Sequence, residues 1–194
     1  MNKSTKIAIL ASGSGSNAEN INNYLLTNYG AKIDCIICNK KDAFVFERAK
    51  KMDIDSFYFD KKAFSSATEV IELLKNRSVD FIVLAGFLLK ISEKIIREFE
   101  DKIINIHPAL LPNYGGKGMY GMNVHNAVIN NNEKESGITI HLVNEEYDKG
   151  KILFQAKTSI ESKDSAEDLA QKIHQLEYKN FPEVIVDYIN SFKS

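Results

Sequence analysis

The chain has 194 residues, of which 44% are hydrophobic and 26% are charged, and this length and composition are typical of one soluble domain spanning 1–194. Its 25 Lys and Arg residues nearly balance its 26 Asp and Glu residues, which argues against a nucleic-acid binder because such a protein needs a basic excess. No apolar run approaches the roughly 20 residues of a membrane helix and the N-terminus has no signal-peptide pattern, so we expect a cytoplasmic protein without a membrane partner.

In the first half of the chain, short apolar runs alternate with amphipathic stretches of helical length. The predicted strands are Lys6–Ala11, Ile33–Cys38, Ser56–Phe59, Phe81–Ala85 and Ile103–His107. The helices predicted between them are Asn17–Thr27, Ala43–Lys51, Thr68–Lys75 and Glu93–Phe99. Strands that are apolar throughout and separated by helices are typical of a parallel sheet covered on both faces. We therefore predict a doubly wound α/β half over residues 1–107.

The alternation ends after this half. A long loop, Pro108–Met122, contains four glycines, and loops of this length inside compact domains are usually functional or disordered. After it we predict, in order, one helix and two strands near Val124–Asn130, Gly137–Val143 and Ile152–Ile160. A long last helix follows, which Asp164 or Ser165 can cap. The second half, 108–194, is predicted to elaborate the same sheet.

Cys35 and Cys38 form a C-x-x-C pair, a spacing that also occurs in redox and metal sites. Both lie in a predicted strand, where residues three apart point to opposite faces of the sheet. They are therefore poorly placed to share a metal ion or to form a disulfide. We interpret them as buried core residues, since a free cysteine behaves as a small hydrophobic side chain.

A glycine-rich segment, Ser12–Asn17, follows the first predicted strand. In open α/β sheets, ligands bind beyond the carboxyl ends of the strands. Glycines allow a tight turn, and the N-terminus of the next helix offers free N–H groups and a partial positive charge. We predict that this segment binds an anion, most often a phosphate. The alternative is a simple turn in which Ser or Asn caps the helix.

Residues after the second and fourth predicted strands suggest two further types of ligand. The pattern of Gly13, Gly15 and Ala18 also fits a dinucleotide fingerprint, and basic residues after the second strand leave an NADP site open as an alternative. The apolar loop 86–91 follows the fourth strand and suits the wall of a pocket for a flat aromatic ligand. Its alternative interpretation is ordinary core beneath the next helix.

Asn105 and His107 lie at the end of the fifth predicted strand. Two residues apart on an extended segment, they share one face. Histidine gives or takes a proton near neutral pH, and an Asn amide can donate to a developing oxyanion. Asp148 lies in a turn between two later strands and can fold inward. A carboxylate near a histidine favours the imidazolium form and raises its pKa, although the sequence alone does not establish this pairing.

The three other histidines lack the spacing of a zinc site, so we predict no metal. His125 has neither of the other two histidines at the spacing of a zinc-binding helix or finger. His141 lies in a predicted strand, on the face opposite its neighbours Ile140 and Leu142. His174 shares a helix face with Glu177, three residues further on.

Several segments together resemble a known enzyme family. Residues 105–112 read N-I-H-P-A-L-L-P and resemble the N-[IV]-H-P-x-L-L-P segment of enzymes that use 10-formyltetrahydrofolate. The continuation 114–121 and the opening segment 12–17 are similar to those of the phosphoribosylglycinamide formyltransferases of purine biosynthesis. The turn 148–150 and the helical segment 173–182 match as well, so the resemblance covers almost the whole chain.

The resemblance implies a Rossmann-like, mostly parallel seven-stranded sheet and formyl transfer from 10-formyltetrahydrofolate, as co-substrate, to the amine of N1-(5-phospho-D-ribosyl)glycinamide. The implied organisation is a nucleotide-binding half, 1–107, and a folate-binding and catalytic half, 108–194. The implied catalytic residues are His107 as proton donor, Asn105 as its partner, and Asp148, which raises the pKa of His107. The implied nucleotide contacts are Gly15, Ser16, Asn17, His174, Gln175 and Glu177. The implied folate contacts are Leu88, Leu89, Lys90, Ile91, Asn105, Asn144, Glu145, Glu146, Tyr147 and Asp148.

Other functions remain as alternatives at this point. A methionyl-tRNA formyltransferase would normally carry a further tRNA-binding domain, and a formyltetrahydrofolate hydrolase a further regulatory domain, so we expect neither in a chain of 194 residues. An NADP-dependent oxidoreductase needs only the first half of the pattern. A non-enzymatic module would bind the nucleotide without turnover. We expect small-molecule substrates, no metal and no nucleic-acid partner, in a monomer or a homodimer.

Overall fold

The structure, a computed structural model, describes residues 5–29 and 31–193. Its strands are β1 (Ile7–Ala11), β2 (Cys35–Cys38), β3 (Asp55–Tyr58), β4 (Phe81–Leu84), β5 (Ile103–His107), β6 (Glu135–Leu142) and β7 (Ile152–Ser159). Its helices are α1 (Ser16–Tyr29), α2 (Val45–Lys51), α3 (Lys61–Ser66), α4 (Thr68–Asn76), α5 (Glu93–Glu98), α6 (Met122–Asn130) and α7 (Ala166–Lys193). The strands form a seven-stranded sheet in the order β3-β2-β1-β4-β5-β6-β7. The predicted fold class, an α/β fold with a mostly parallel seven-stranded sheet, is confirmed.

The chain divides into two compact units, and the first is Met1–Ile104. In this unit β1 pairs in parallel with β2 and β4, and β2 pairs in parallel with β3. Every residue of β1, β2 and β4 is buried. Because successive side chains of a strand point to opposite faces, these strands are covered on both sides, as their continuous apolar runs predict.

The two cysteines of β2 are core residues. Cys35 and Cys38 are both free and buried. Burial raises the pKa of the Cys35 thiol to about 12, so this thiol stays protonated and unreactive at neutral pH. The interpretation of the C-x-x-C pair as core is confirmed.

One helix of the first unit is absent from the sequence prediction. The six-residue α3 begins after Asp60, whose carboxylate accepts a hydrogen bond of 2.8 Å from the Ala63 N–H. It ends at Ser66 and is followed by Ala67, which has a left-handed backbone with φ of 67°. Only Phe64 of this helix is buried, so α3 has no apolar stripe from which a helical period could be recognised.

The second unit, Asn105–Ser194, contains the antiparallel pair β6 and β7. Residues 136–142 of β6 are buried, whereas β7 alternates between exposed and half-buried residues, as expected at the edge of a sheet. Gly137 of β6 lies so close to β7 that an added Cβ would be 2.0 Å from the Ala156 carbonyl oxygen. The spacing of these two strands therefore depends on the absence of a side chain at residue 137.

The long helix α7 begins with a reciprocal cap. The Ser165 N–H donates to the Asp168 carboxylate at 2.9 Å, and the Asp168 N–H donates to the Ser165 hydroxyl at 3.1 Å. Such a capping box satisfies two of the N–H groups that a helix start leaves unbonded, and it confirms Ser165 as a cap. Among the described residues, no helix, α7 included, is long and apolar enough to cross a membrane.

Replacing Gly137 with Ala is expected to lower the free energy of unfolding by about 1–3 kcal/mol, because the new methyl group must displace the β7 backbone. Urea denaturation measures this change. Gly13→Ala is the control, since a Cβ added at Gly13 has nothing within 4 Å. Equal stabilities of the two variants would contradict the steric argument.

Candidate active site

The three predicted catalytic residues lie in the second unit and meet in one cluster, in which His107 is buried and Asn105 and Asp148 are half-buried. Asn105 and His107 lie on β5, and Asp148 comes from the turn between β6 and β7. The Nδ1 atom of His107 lies 3.7 Å from Oδ2 of Asp148. The two side chains are only 5% and 13% exposed, so this pair interacts in a region from which most water is excluded.

A fourth residue, His141 of β6, belongs to the same cluster. Its Nε2 atom lies 3.0 Å from the Asn105 amide nitrogen and 3.6 Å from Oδ1 of Asp148. Its Nδ1 atom lies 2.8 Å from the carbonyl oxygen of Leu142. The sequence analysis did not select His141, because no spacing along the chain relates it to Asn105 and Asp148. The adjacency of β5 and β6 in the sheet is what brings these residues together.

The turn that carries Asp148 is folded inward by its backbone. Asp148 has a left-handed backbone with φ of 55°, and its Oδ2 atom accepts a hydrogen bond of 2.8 Å from the Gly116 N–H. A Cβ at Gly150 would lie 1.7 Å from the Leu142 carbonyl oxygen, so only glycine permits this close return of the chain. Glu145 and Glu146 of the same turn are exposed, and Glu146 forms an ion pair of 2.5 Å with Lys149.

The second ring nitrogen of His107 also forms a hydrogen bond. Its Nε2 atom lies 2.7 Å from the carbonyl oxygen of Tyr114. A carbonyl oxygen only accepts hydrogen bonds, so the His107 Nε2 carries a hydrogen and donates it. Tyr114 has a left-handed backbone with φ of 56°, and its hydroxyl donates to the Glu133 carboxylate at 2.6 Å. His107 therefore lies between a carbonyl group on one side and the Asp148 carboxylate on the other.

Burial and the neighbouring polar groups shift the pKa values of His107 and Asp148 in opposite directions. Burial lowers the pKa of His107, and the opposing effects of the Asp148 charge and the Tyr114 carbonyl do not compensate for it. Burial alone would raise the pKa of Asp148, but His141, the Gly116 N–H and His107 together lower it. The Asp148 charge raises the pKa of His107 in the direction predicted from the sequence, but the larger effect of desolvation makes the net shift downward. In this structure an ionised Asp148 faces a His107 whose charged form is disfavoured.

The predicted nucleotide residues of the second unit lie on α7. Nδ1 of His174 and Oε2 of Glu177 are 3.0 Å apart, and this hydrogen bond raises the pKa of His174. Glu177 is buried, whereas Gln175 is exposed. His125 of α6 is 4% exposed, its Nδ1 has no hydrogen-bond partner, and burial lowers its pKa. Within the described residues, no group of three or more His, Cys, Asp or Glu side chains is arranged to hold a metal ion.

The predicted phosphate segment lies in the first unit, at the start of α1. Gly15 has φ of +75°, and a Cβ there would lie 2.3 Å from the Val45 side chain, so the tight turn requires glycine. The helix begins at Ser16, with Asn17 buried in its first turn. The first N–H groups of a helix have no partner within it and together with the helix dipole attract anions.

The predicted folate segment of the first unit is tied to the loop after β1. The Leu88 N–H donates to the Ser12 hydroxyl at 2.9 Å, and this hydroxyl donates to the Asn39 side chain at 2.6 Å. Within residues 88–91, Leu88 and Lys90 are exposed, Leu89 is half-buried and Ile91 is buried. The segment therefore offers both solvent-facing and core-facing apolar surface.

Comparison with known proteins shows which family the chain belongs to. A family model described as formyl transferase matches residues 5–185. The chain belongs to the formyl transferase family. It is 40% identical to the phosphoribosylglycinamide formyltransferase of Haemophilus influenzae, over 93% of this chain and 85% of that protein. The resemblance inferred from the sequence is thereby confirmed.

Two further comparisons agree. The chain is 38% identical to the chloroplastic phosphoribosylglycinamide formyltransferase of Arabidopsis thaliana over 93% of its own residues, and it spans 64% of that protein's length. The crystal structure of the phosphoribosylglycinamide formyltransferase from Bacillus halodurans superposes with a TM-score of 0.84 at 35% identity, covering 93% of each chain. The family resemblance thus extends from sequence to three-dimensional structure.

The free energy of unfolding is expected to fall as the pH is lowered from about 7.5 to about 5.5. The folded-state pKa values of His107 and His125 are lowered, so the unfolded chain binds more protons than the folded chain in this window. His174, whose pKa is raised, acts in the opposite direction. We therefore expect His125→Gln to show a shallower pH dependence than the wild type in urea denaturation at several pH values. The same slope in both proteins would argue against this assignment.

Proposed function

We propose that this chain transfers the formyl group of 10-formyltetrahydrofolate to the amine of N1-(5-phospho-D-ribosyl)glycinamide, in de novo purine biosynthesis. The observation that carries this proposal is the cluster of Asn105, His107 and Asp148, largely shielded from solvent, in a member of the formyl transferase family. The relatives that bear the name phosphoribosylglycinamide formyltransferase support this choice of acceptor. The chain would act as one domain with a nucleotide-binding and a catalytic half.

The first chemical step is attack of the glycinamide amine on the formyl carbon. It forms a tetrahedral intermediate with negative charge on the former carbonyl oxygen. The Asn105 amide nitrogen carries two hydrogens, of which one is directed to His141, and the other is available to that oxygen. The imidazole of His107 adds positive charge beside this oxygen when the ring is protonated, a form that the Asp148 charge favours and burial opposes.

The second requirement is transfer of a proton from the attacking amine to the departing folate nitrogen. The lowered pKa of Asp148 keeps this carboxylate ionised at neutral pH, ready to accept a proton directly, through His107 or through a water molecule. The step needs no covalent enzyme intermediate, which agrees with the buried, unreactive thiols of β2.

The loop 113–122 would cover the reacting groups. Two of its backbone groups contact the cluster, namely the Tyr114 carbonyl at His107 and the Gly116 N–H at Asp148. A loop held in this way excludes water from the reaction and limits hydrolysis of the formyl donor.

The substrate contacts are proposed as the family resemblance implies them. The phosphate would bind to the N–H groups at Gly15, Ser16 and Asn17. The ribose end would contact His174, Gln175 and Glu177, and the folate would contact the segments 88–91 and 144–148 together with Asn105. Backbone N–H groups at a helix start hold a phosphate without any excess of basic residues, in agreement with the net charge of −1.

Replacing Asp148 with Asn is expected to lower kcat for formyl transfer by a factor of about 10²–10⁴, because the amide keeps the shape of the carboxylate but does not accept the proton. The measurement is the rate of formylated product from 10-formyltetrahydrofolate and glycinamide ribonucleotide. Glu135→Gln is the control, since it removes an exposed carboxylate that pairs only with Lys157 in the contacts seen. Near-normal kcat in Asp148→Asn would show that the assigned role is wrong.

Removing the phosphate from the acceptor is expected to lower kcat/KM by roughly 10- to 100-fold, the size of an effect from charged hydrogen bonds. Gly15→Ala, whose methyl group would clash with Val45, should weaken the use of the phosphorylated acceptor and leave that of the riboside unchanged. Steady-state kinetics of both proteins with both acceptors measures this. Equal reactivity of ribonucleotide and riboside in the wild type would refute the phosphate site.

A further inference from the structure

The hydrogen bonds of His141 fix which of its ring nitrogens carries the hydrogen. Its Nδ1 atom lies 2.8 Å from the Leu142 carbonyl oxygen, which only accepts, so Nδ1 is the donor. In the neutral ring, Nε2 then has a lone pair and accepts. It lies 3.0 Å from the Asn105 side-chain nitrogen, which donates to it.

This acceptor determines the orientation of the Asn105 amide. If the amide were rotated by half a turn, its oxygen would face the lone pair of the His141 Nε2, and both atoms would lose their hydrogen bond. The observed orientation leaves one N–H and the carbonyl oxygen of Asn105 for other partners. The same Nε2 is 3.6 Å from Oδ1 of Asp148, so the ring also occupies the space beside the carboxylate.

We infer that His141 is a positioning residue that orients the Asn105 amide for the proposed formyl transfer. The inference rests on that proposed function. His141 is 2% exposed, so it acts through Asn105 and not by contact with solvent-borne substrate. Displacement of a reacting group by about 1 Å is enough to cost about 10² in rate, so the loss of this support should affect kcat.

If His141 had a purely structural role, it would act through its Nδ1 atom, on the opposite side of the ring from Nε2. The pairing of β6 with β7 is irregular between Ile140 and His141, and the bond from Nδ1 to Leu142 lies next to this irregularity. If His141 served only to stabilise the strand, then the Nδ1 contact would matter and the Nε2 contacts would not. Two amide substitutions separate the two roles, because each reproduces one side of the imidazole.

The test compares His141→Gln with His141→Asn. Gln places its amide near the position of Nε2, where its oxygen can accept from Asn105 as the imidazole nitrogen does. Asn places its amide near the position of Nδ1, where it can donate only to Leu142. We expect kcat of His141→Gln to stay within about 10-fold of the wild type and kcat of His141→Asn to fall by about 100-fold. We expect KM for both substrates to change little, and thermal unfolding shows that each variant is folded.

A double-mutant cycle adds a second readout. If His141 acts largely through Asn105, then His141→Asn costs much less activity in an Asn105→Ala background than in the wild type. The inference is overturned if Asn is as active as Gln at this position, if both folded variants are equally inactive, or if the loss lies in KM. A wild-type protein without formyl transfer would instead refute the proposed function.

Discussion

The candidate site depends on one half-buried carboxylate, that of Asp148, and on the groups that surround it. Asp148 is 13% exposed, and such burial would make an ionised carboxylate costly without compensating contacts. The Gly116 N–H donates to this carboxylate, and the ring of His107 adds a second donor when its Nδ1 is protonated. Because these contacts come from a loop and a strand, the position of the carboxylate depends on the tertiary structure of the entire second unit.

The close backbone approaches of this unit follow from the same requirement. Gly150 lets the chain pass beside the Leu142 carbonyl, and the left-handed backbone of Asp148 turns its side chain inward. Gly137 lets β7 lie tightly against β6, the strand that carries His141. Two glycines without any chemical role thus determine where the titrating groups meet. The position of the Asp148 charge therefore depends on these close backbone approaches.

Much of this site is encoded locally, and the remainder is not. Asn105 and His107 could be predicted because an apolar strand ends at a polar pair followed by proline, a pattern visible in a few residues. His141 could not, since its neighbours at residues 105 and 148 become adjacent only through the order of strands in the sheet. The net direction of the His107 pKa shift could not be predicted from the sequence for a related reason. A sequence shows which charges are available, but burial, which dominates here, is a property of the packed chain.

The loop at Tyr114 and Gly116 has a further consequence for the order of events. Its carbonyl contacts the imidazole and its N–H contacts the carboxylate, so the backbone is complementary to a donor at His107 and an acceptor at Asp148. When the carboxylate takes up a proton, its bond from the Gly116 N–H weakens, because hydrogen bonds to charged acceptors are the stronger ones. The strength of the contact between the loop and Asp148 is therefore coupled to the protonation state of this carboxylate. Proton uptake by Asp148 therefore weakens one of the two backbone contacts between this loop and the site.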